Sequence, residues 1–220
     1  EQTTDILGNT TFTIYDARGN TIETRYAGDA EHPQGTLTRT VYDEDGRVLV
    51  TVDQHEPGRP ANGMRTSYDA AGRAFRIERL ASVQIDIVPN AGGGQRAVLT
   101  SFGSVISTTS TEFDAADRIR SQTNEAGERT VFEYDDANRQ TAVIDALNHR
   151  TETEYDSAGR STLVRDALRR ETRFEYDAVD RLVKTIFPNS TFTSVGFNTV
   201  GQKASETDQS GLTRDFEYNA

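Results

Sequence analysis

The chain repeats one short phrase, and over its second half the interval is constant. An aromatic residue followed by Asp or Asn occurs at Tyr15, Tyr42, Tyr68, Phe113, Tyr134, Tyr155, Tyr176, Phe197 and Tyr218. Successive intervals are 27, 26, 45 and then 21 five times. Equal spacing over five units is the signature of an array in which each repeat packs on its neighbours. We therefore predict one array over residues 1–220, irregular at 1–112 and regular at 113–220.

Each aromatic residue begins a turn phrase, for example YDSAGR (155–160) or YDAVDR (176–181). The fourth turn position, counted from the Asp or Asn, is occupied by Gly19, Gly46, Gly72, Asp117, Asn138, Gly159, Asp180 and Gly201. Gly, Asn and Asp are the residues that tolerate the left-handed helical region. A type I turn followed by such a residue is a common three-residue hairpin loop with a bulge. Each phrase thus predicts a β-hairpin.

An acidic and a basic residue flank most of these predicted loops. The pairs are Asp43/Arg47, Asp69/Arg73, Asp114/Arg118, Asp135/Arg139, Asp156/Arg160 and Asp177/Arg181. The first phrase has Asp16 without the Arg, and Asn198 is matched by the neutral Gln202. Opposite charges facing each other across two strands contribute roughly 0.2–1 kcal/mol. We interpret these residues as clamps of the turn, with a structural role.

A second turn lies halfway through the unit, in DILG (5–8), NEAG, DALN, DALR and DQSG. Its left-handed position is predicted at Gly8, Gly127, Asn148, Arg169 and Gly211. Two turns in each unit leave two strands of roughly six residues. In TRFEY (172–176), alternate aromatic and β-branched residues are typical of a half-buried strand. The predicted fold is all-β, an array of antiparallel hairpins in an extended, curved or spiralling sheet without substantial helix.

The longer intervals indicate insertions at one edge of this sheet. Two of them place extra residues at 26–35 and 52–63, and the third contains the weakly charged segment 79–110. A turn at 89–94 (PNAGGG) divides that segment. We favour a long hairpin over a degenerate repeat, because no YD turn phrase survives near residues 90–92. Apolar residues alternate on either side, at Val83, Ile85 and Ile87 and at Val98, Thr100 and Phe102. Repeat proteins often place binding loops on one edge, although neutral insertion at a tolerant edge is the alternative.

The composition and motifs indicate neither an enzyme nor a cofactor or metal site. There is no Cys, and the three His residues share no metal-binding spacing. DEDG (43–46) begins like a calcium-binding loop but lacks the later ligands of such a loop. Carboxylates such as Glu133 and Glu154 recur in successive repeats, whereas a catalytic pair would occur once. The net charge of −11 disfavours nucleic acid. No apolar run is long enough to insert into a membrane.

The alternation of YDxxGR and DxxG turns resembles the RHS, or YD-repeat, family over nearly the whole chain. Members include shells of bacterial Rhs toxins, shell components of insecticidal toxin complexes, wall-associated proteins and animal teneurins. The resemblance implies a long β-sheet that spirals into a hollow shell, which in bacterial members often encloses a toxic domain. The terminal cleavage motif of the bacterial shells and a recognisable toxin domain are both absent from this sequence.

This resemblance implies a structural segment of a shell that encloses or presents a cargo. The expected partners are the remainder of a longer parent chain and a toxin domain that lies elsewhere in it. The expected location is secreted or at the cell surface, with any export signal outside this segment. The alternative is an adhesion or glycan-binding module that uses the irregular loops and the long hairpin.

Overall fold

The computed structural model describes residues 1–4 and 10–218. Nineteen strands and no helix make up the regular secondary structure of these residues. The strands are β1 Gln2–Thr4, β2 Thr10–Tyr15, β3 Thr21–Tyr26, β4 Thr36–Tyr42, β5 Val48–His55, β6 Ala61–Tyr68, β7 Ala74–Pro89, β8 Gln95–Ser101, β9 Val105–Phe113, β10 Ile119–Thr123, β11 Arg129–Tyr134, β12 Gln140–Ile144, β13 Arg150–Tyr155, β14 Ser161–Arg165, β15 Glu171–Tyr176, β16 Leu182–Ile186, β17 Phe192–Phe197, β18 Lys203–Thr207 and β19 Thr213–Asp215. The predicted all-β class is confirmed.

Neighbouring strands pair in antiparallel register along the chain. From β11 to β19 each strand pairs with the next, and β1 to β7 do the same. The register shifts immediately before the aromatic residue of a YD turn, as between Glu154 and Tyr155. Such a shift is the bulge that accompanies a three-residue hairpin loop. The predicted array of hairpins is confirmed.

The chain divides into two compact units. Unit 1 comprises residues 1–113 with 122–127, and unit 2 comprises residues 114–121 with 128–220. This division lies beside the point where the sequence changes from irregular to regular spacing. The two units contain the same kind of hairpin but bury their side chains differently.

The 16-residue strand β7 distinguishes unit 1. Its first half, up to Leu80, pairs with β6 on one side and β9 on the other. Its second half, from Gln84, pairs with β8 and turns at 90–94. The chain leaves the first sheet at Ser82, which has a φ of 53°. We call residues 83–101 the flap, because β8 lies over β3 and β4.

The flap builds the core of unit 1. It contributes Val83, Ile85 and Ala97 to a buried cluster with residues of the underlying sheet, namely Ile22, Val41, Val50, Val52 and Leu80. The pairs Ile85–Leu99 and Ile87–Ala97 place Ala97 and Leu99 beside the inward residues of β7. The alternation at Val98, Thr100 and Phe102 noted in the sequence therefore follows the other face of β8, because it begins one position out of register.

A polar contact joins the same two layers. The Glu23 side chain is fully buried and forms ion pairs with Arg25 and, at 2.6 Å, with Arg39. Arg39 also donates to the backbone carbonyl of Ile85 in the flap. Gly63 lies beneath the flap, where a Cβ would come within 2.3 Å of the Thr51 carbonyl oxygen and 3.0 Å of a Val83 methyl group. A residue without a side chain is therefore needed for this close approach.

Unit 2 has little apolar core among its described residues. Ala142 and Leu163 are its buried hydrophobic residues, and Ser121 is its buried polar residue. Most other strand residues in this unit are half-buried. Contacts between successive hairpins must therefore supply much of its stability.

Candidate functional site

The repeated YD turns are the candidate site, since the signature residues of the sequence lie there. All eight residues at the fourth turn position have a positive φ, between 62° for Asn138 and 88° for Gly19. In the turn of Asp156, the backbone N–H of Gly159 donates to the Asp156 carbonyl, and the Asp156 N–H donates to the Arg160 carbonyl. The sequence pattern at this position therefore corresponds to a backbone requirement.

The carboxylate of the leading Asp organises each turn. In Asp156, one oxygen accepts from the backbone N–H groups of Ala158 and Arg160, and the other lies 2.6 Å from the Arg160 guanidinium. The same Asp–Arg ion pair measures 2.6–2.7 Å in all six predicted pairs. These hydrogen bonds, from the Arg160 backbone first and then from its side chain, lower the pKa of Asp156. Asn198 and Gln202 replace the ion pair with a side-chain hydrogen bond of 3.0 Å.

Each Arg also reaches the aromatic residue of the next repeat. The guanidinium lies over the following ring at 3.9–4.9 Å from its centroid in Arg47/Tyr68, Arg73/Phe113, Arg118/Tyr134, Arg139/Tyr155, Arg160/Tyr176 and Arg181/Phe197. Positioned there, a cation is attracted by the ring quadrupole. A guanidinium group therefore lies over six of the nine signature aromatic rings.

Three further hydrogen bonds connect consecutive repeats. Arg160 donates to the backbone carbonyl of Asp177, at 3.3 Å, and to the side chain of Asp180, at 2.7 Å. In return, the Tyr176 hydroxyl donates to the Ser161 carbonyl at 2.9 Å. We call this combination of Arg, aromatic ring and carbonyl contacts the repeat latch.

The tyrosine part of the latch recurs in both units. Hydroxyl-to-carbonyl bonds of 2.8–3.1 Å join Tyr42 to Thr21, Tyr68 to Val48, Tyr134 to Ile119, Tyr155 to Gln140, Tyr176 to Ser161 and Tyr218 to Lys203. The first signature aromatic, Tyr15, instead donates to the Glu1 carboxylate at 3.2 Å. Phe113 and Phe197 lack the hydroxyl group, so they retain only the ring contact. All parts of the latch are therefore present at Tyr134, Tyr155 and Tyr176. Tyr42 and Tyr218 form the hydroxyl bond alone, since Asn20 and Gln202 occupy the Arg position of the preceding turns.

A network of alternating charges lies on one face of unit 2, between β11 and β15. Arg150 binds both oxygens of Glu133 at 2.7 Å and also contacts Glu152. Arg165 connects Glu152 to Glu171. Hydrogen bonds from Arg150 and then Arg165 lower the pKa of Glu152 to about 2. The acidic and basic side chains of this network therefore pair with one another.

The second turns follow the same backbone rule with different residues. Gly127, Asn148, Arg169 and Gly211 have positive φ, and Gly8 lies outside the described residues. Ser190, in the segment FPNS, has a φ of 66° and occupies the equivalent position 21 residues after Arg169. The sequence did not indicate Ser190, because its turn lacks the leading Asp. The fixed spacing alone could have located it.

The described residues contain no group of His, Asp and Glu side chains arranged to hold a metal ion. His149 is part of a second-turn clamp, with its Nδ1 2.9 Å from Asp145. The recurring carboxylates Glu133 and Glu154 both lie near arginine side chains. No helix in the described part of the chain is long and apolar enough to cross a membrane.

Sequence reasoning placed the turn residues but missed the latch. Its signal is a constant offset, because each Arg in the regular region precedes the aromatic residue of the next turn by 16 positions, as from Arg160 to Tyr176. The interpretation of each Asp–Arg pair as a local clamp left the second partner of the Arg unassigned. The charged face was also missed, because its partners lie on different strands.

Comparisons with known proteins agree with the repeat signature. Residues 113–150 and 155–191 match the family model described as RHS Repeat. No curated protein sequence matches the chain. These two matched ranges lie in the regular part of the array.

The solved structures that align with this chain include three toxin complexes. The TcdB2-TccC3-Cdc42 crystal structure aligns at 17% identity over 94% of this chain, with a TM-score of 0.47. TcdB2-TccC3 without its hypervariable C-terminal region aligns at 17% identity over 94%, with a TM-score of 0.46. The Photorhabdus luminescens Tc holotoxin pore aligns at 17% identity over 93%, with a TM-score of 0.45. The alignments cover only 11–12% of those much longer chains. Residues 113–150 and 155–191 of this chain are RHS repeats, as their YD turns indicate and as the family match confirms.

Proposed function

We propose that this chain is a wall segment of an RHS-type β-shell that encloses or presents a cargo. The observation that carries the proposal is the repeat latch, through which each hairpin is completed by the next one. Contacts of this kind extend a wall by any number of repeats, because each repeat needs only its neighbours. The expected cargo is a toxin domain elsewhere in the parent chain, and the expected location is secreted or at the cell surface.

The arrangement of charge in unit 2 supports a wall better than an active site. The paired carboxylates around Arg150 and Arg165 satisfy one another, so that none is poised to transfer a proton. A wall that encloses a polypeptide benefits from such a surface, because a neutralised face offers few strong contacts to a captive chain. The proposed role is therefore containment without catalysis.

The test is to isolate the natural protein that contains this segment and to measure its mass before and after denaturation. We expect a second polypeptide, derived from the same parent, that is released only on denaturation and is protected from protease beforehand. Replacing Arg160 and Arg181 by Ala is expected to expose this polypeptide to protease. The matched control is Arg170→Ala, because Arg170 clamps its own turn and, among the described contacts, lies over no ring. A single uncut chain whose every part is open to protease would overturn the proposal.

The alternative, adhesion or glycan binding through the irregular loops and the flap, has weaker structural support. Val83 and Ile85 of the flap are buried in unit 1, so these two side chains cannot contact an external ligand. Saturable glycan binding that is lost on substitution of exposed Asn90 at the flap tip would favour this alternative over containment.

A further inference from the structure

Strand β8 in the flap has one paired edge and one open edge. Its pairing with β7 runs from Gln95, opposite Pro89, to Ser101, opposite Gln84. No pairing of its other edge occurs within the described residues. An edge strand presents unpaired N–H and C=O groups, which form a template for another strand.

The register of the flap identifies the open groups. The N–H of Asn90 donates to the carbonyl of Gly94 at the tip, and pairing then proceeds residue by residue toward Ile85. Because hydrogen-bonded and non-hydrogen-bonded pairs alternate in an antiparallel ladder, Arg96 and Val98 are bonded to β7. The N–H and C=O groups of the intervening residues, Gln95, Ala97 and Leu99, therefore point away from β7.

A cavity of about 510 Å³ lies beside this open edge. Its lining includes the apolar residues Ile22, Leu49 and Ala97, and it extends from β8 to the first two YD turns. Leu49 and Tyr42 are only half-buried there, so that the flap leaves part of the sheet face uncovered. A third strand added to the flap would cover this remaining apolar surface.

We propose that β8 binds an extended segment of another polypeptide, which adds to the flap as its third strand. Main-chain hydrogen bonds to Ala97 and Leu99 would supply affinity, and alternate apolar side chains of the segment would enter the cavity. The inference does not depend on the containment function, since it requires only the flap and its neighbouring turns.

Charge favours a partner segment without an excess of acidic residues over a second copy of this chain. The cavity is lined by the carboxylates of Asp16, Asp43 and Glu44 and by the guanidinium groups of Arg18 and Arg96. Arg47 pairs with Asp43 from just outside this lining, so that the three carboxylates are balanced by three guanidinium groups. Two copies of a chain with a net charge of −11 repel each other. The partner is therefore identified as an extended strand with apolar residues at alternate positions and no excess of acidic residues.

A phage-displayed library of random nonapeptides, selected against the folded 220-residue chain, provides the probe. We expect enriched peptides with alternating apolar residues, and we would synthesise them for hydrogen-exchange measurements. Binding should slow amide exchange at Ala97 and Leu99 by about tenfold or more, because these amides become hydrogen-bonded. Exchange at Arg96 and Val98 should change little, since their amides already pair with β7.

Two variants separate the edge from the cavity. Ala97→Pro removes an outward N–H group, and Leu49→Trp fills the cavity without changing the edge. Each is expected to weaken peptide binding by about tenfold or more. The matched control is Leu182→Trp, at an exposed leucine of unit 2 (45% exposed), which should leave binding unchanged. Circular dichroism and thermal melting identify the variants that retain the fold, so that Leu49→Trp decides the test if Ala97→Pro unfolds.

Three results would overturn the proposal. One is the failure of the library to yield any specific peptide. Another is peptide binding that the folded Leu49→Trp variant retains in full. The third is protection of Ala97 and Leu99 that depends on protein concentration without added peptide, which would assign the edge to a second copy of this chain.

Discussion

Units 1 and 2 stabilise the same hairpin repeat by different means. In unit 1 the flap adds a second layer, and Leu80 and Val83 between the two layers are 0% and 1% exposed. In unit 2 the most buried apolar residues are Ala142 and Leu163, and latches and ion-pair networks join the hairpins. The comparison shows that the 21-residue repeat does not need a thick core, because its conserved geometry provides a contact to the next repeat at every turn. The longer insertion is needed only where a core is built.

The largest expected effect concerns these two ways of burying apolar groups. Leu80→Ala should destabilise unit 1 by about 3–5 kcal/mol, since the cavity it leaves is enclosed by two layers. Leu163→Ala should destabilise unit 2 by about 2 kcal/mol, because the long side chains of Glu154 and Arg173 opposite it can close over the space. Hydrogen exchange resolved by peptide would give the local free energy of opening in each unit. Equal losses in the two units would contradict the distinction.

The latch between repeats is expected to have the next largest effect. Arg160→Ala should lower the local stability of unit 2 by about 1–2 kcal/mol, since it removes an ion pair, a ring contact and hydrogen bonds to the next turn. Arg170→Ala removes an ion pair of similar length, but from a side chain that is 61% exposed, and should cost less than about 0.5 kcal/mol. Urea denaturation of both variants would measure the difference. If the two losses are equal, the contact with the next repeat contributes nothing.

Backbone strain at a second turn should allow a small gain in unit 2. Arg169 has a φ of 63°, and its ion pair with Glu152 is long, at 3.8 Å. Arg169→Gly is therefore expected to stabilise the unit by about 0.5–1 kcal/mol. The reverse change, Gly159→Ala at a φ of 86°, should cost about 1–2 kcal/mol. Thermal melting would reveal a higher midpoint for the first variant and a lower one for the second, and the opposite order would contradict the strain argument.

The smallest expected effect is on the pH dependence of stability, and it arises from the charged face. The folded-state pKa of Glu152 is about 2, below its usual value of 4.5. Its stabilising contribution is therefore complete above about pH 4.5 and is lost as the pH falls toward 2. Melting temperatures measured across this range should decline less steeply for Glu152→Gln than for the unaltered chain. Glu154→Gln, at a carboxylate that is 59% exposed, serves as control and should retain the original slope.

Local rules made much of this fold predictable from the sequence. Positions such as Gly159 and Asp180 could be assigned because few residue types tolerate a positive φ, and Asp156 and Arg160 because they flank one turn. The latch from Arg160 to Tyr176 depends on the pitch between repeats, which composition alone does not provide. The inward-facing residues of β8 could not be predicted either. The register of the strand determines whether Ala97 or Val98 points inward, and this register follows from the geometry of the flap tip. The burial of Glu23 depends on the flap, which lies far away in sequence.

The latch also has a mechanical consequence. A pulling force applied to the last hairpin of unit 2 would load one latch at a time, because each set of contacts joins only neighbouring repeats. Such an array would unfold in equal steps, each releasing 21 residues, or roughly 70 Å of extended chain. The thick core of unit 1 would instead resist until the flap separated from the sheet, and would then yield in a single longer step. A single-molecule force–extension trace would therefore show a series of equal increments in length from unit 2 and one larger increment from unit 1.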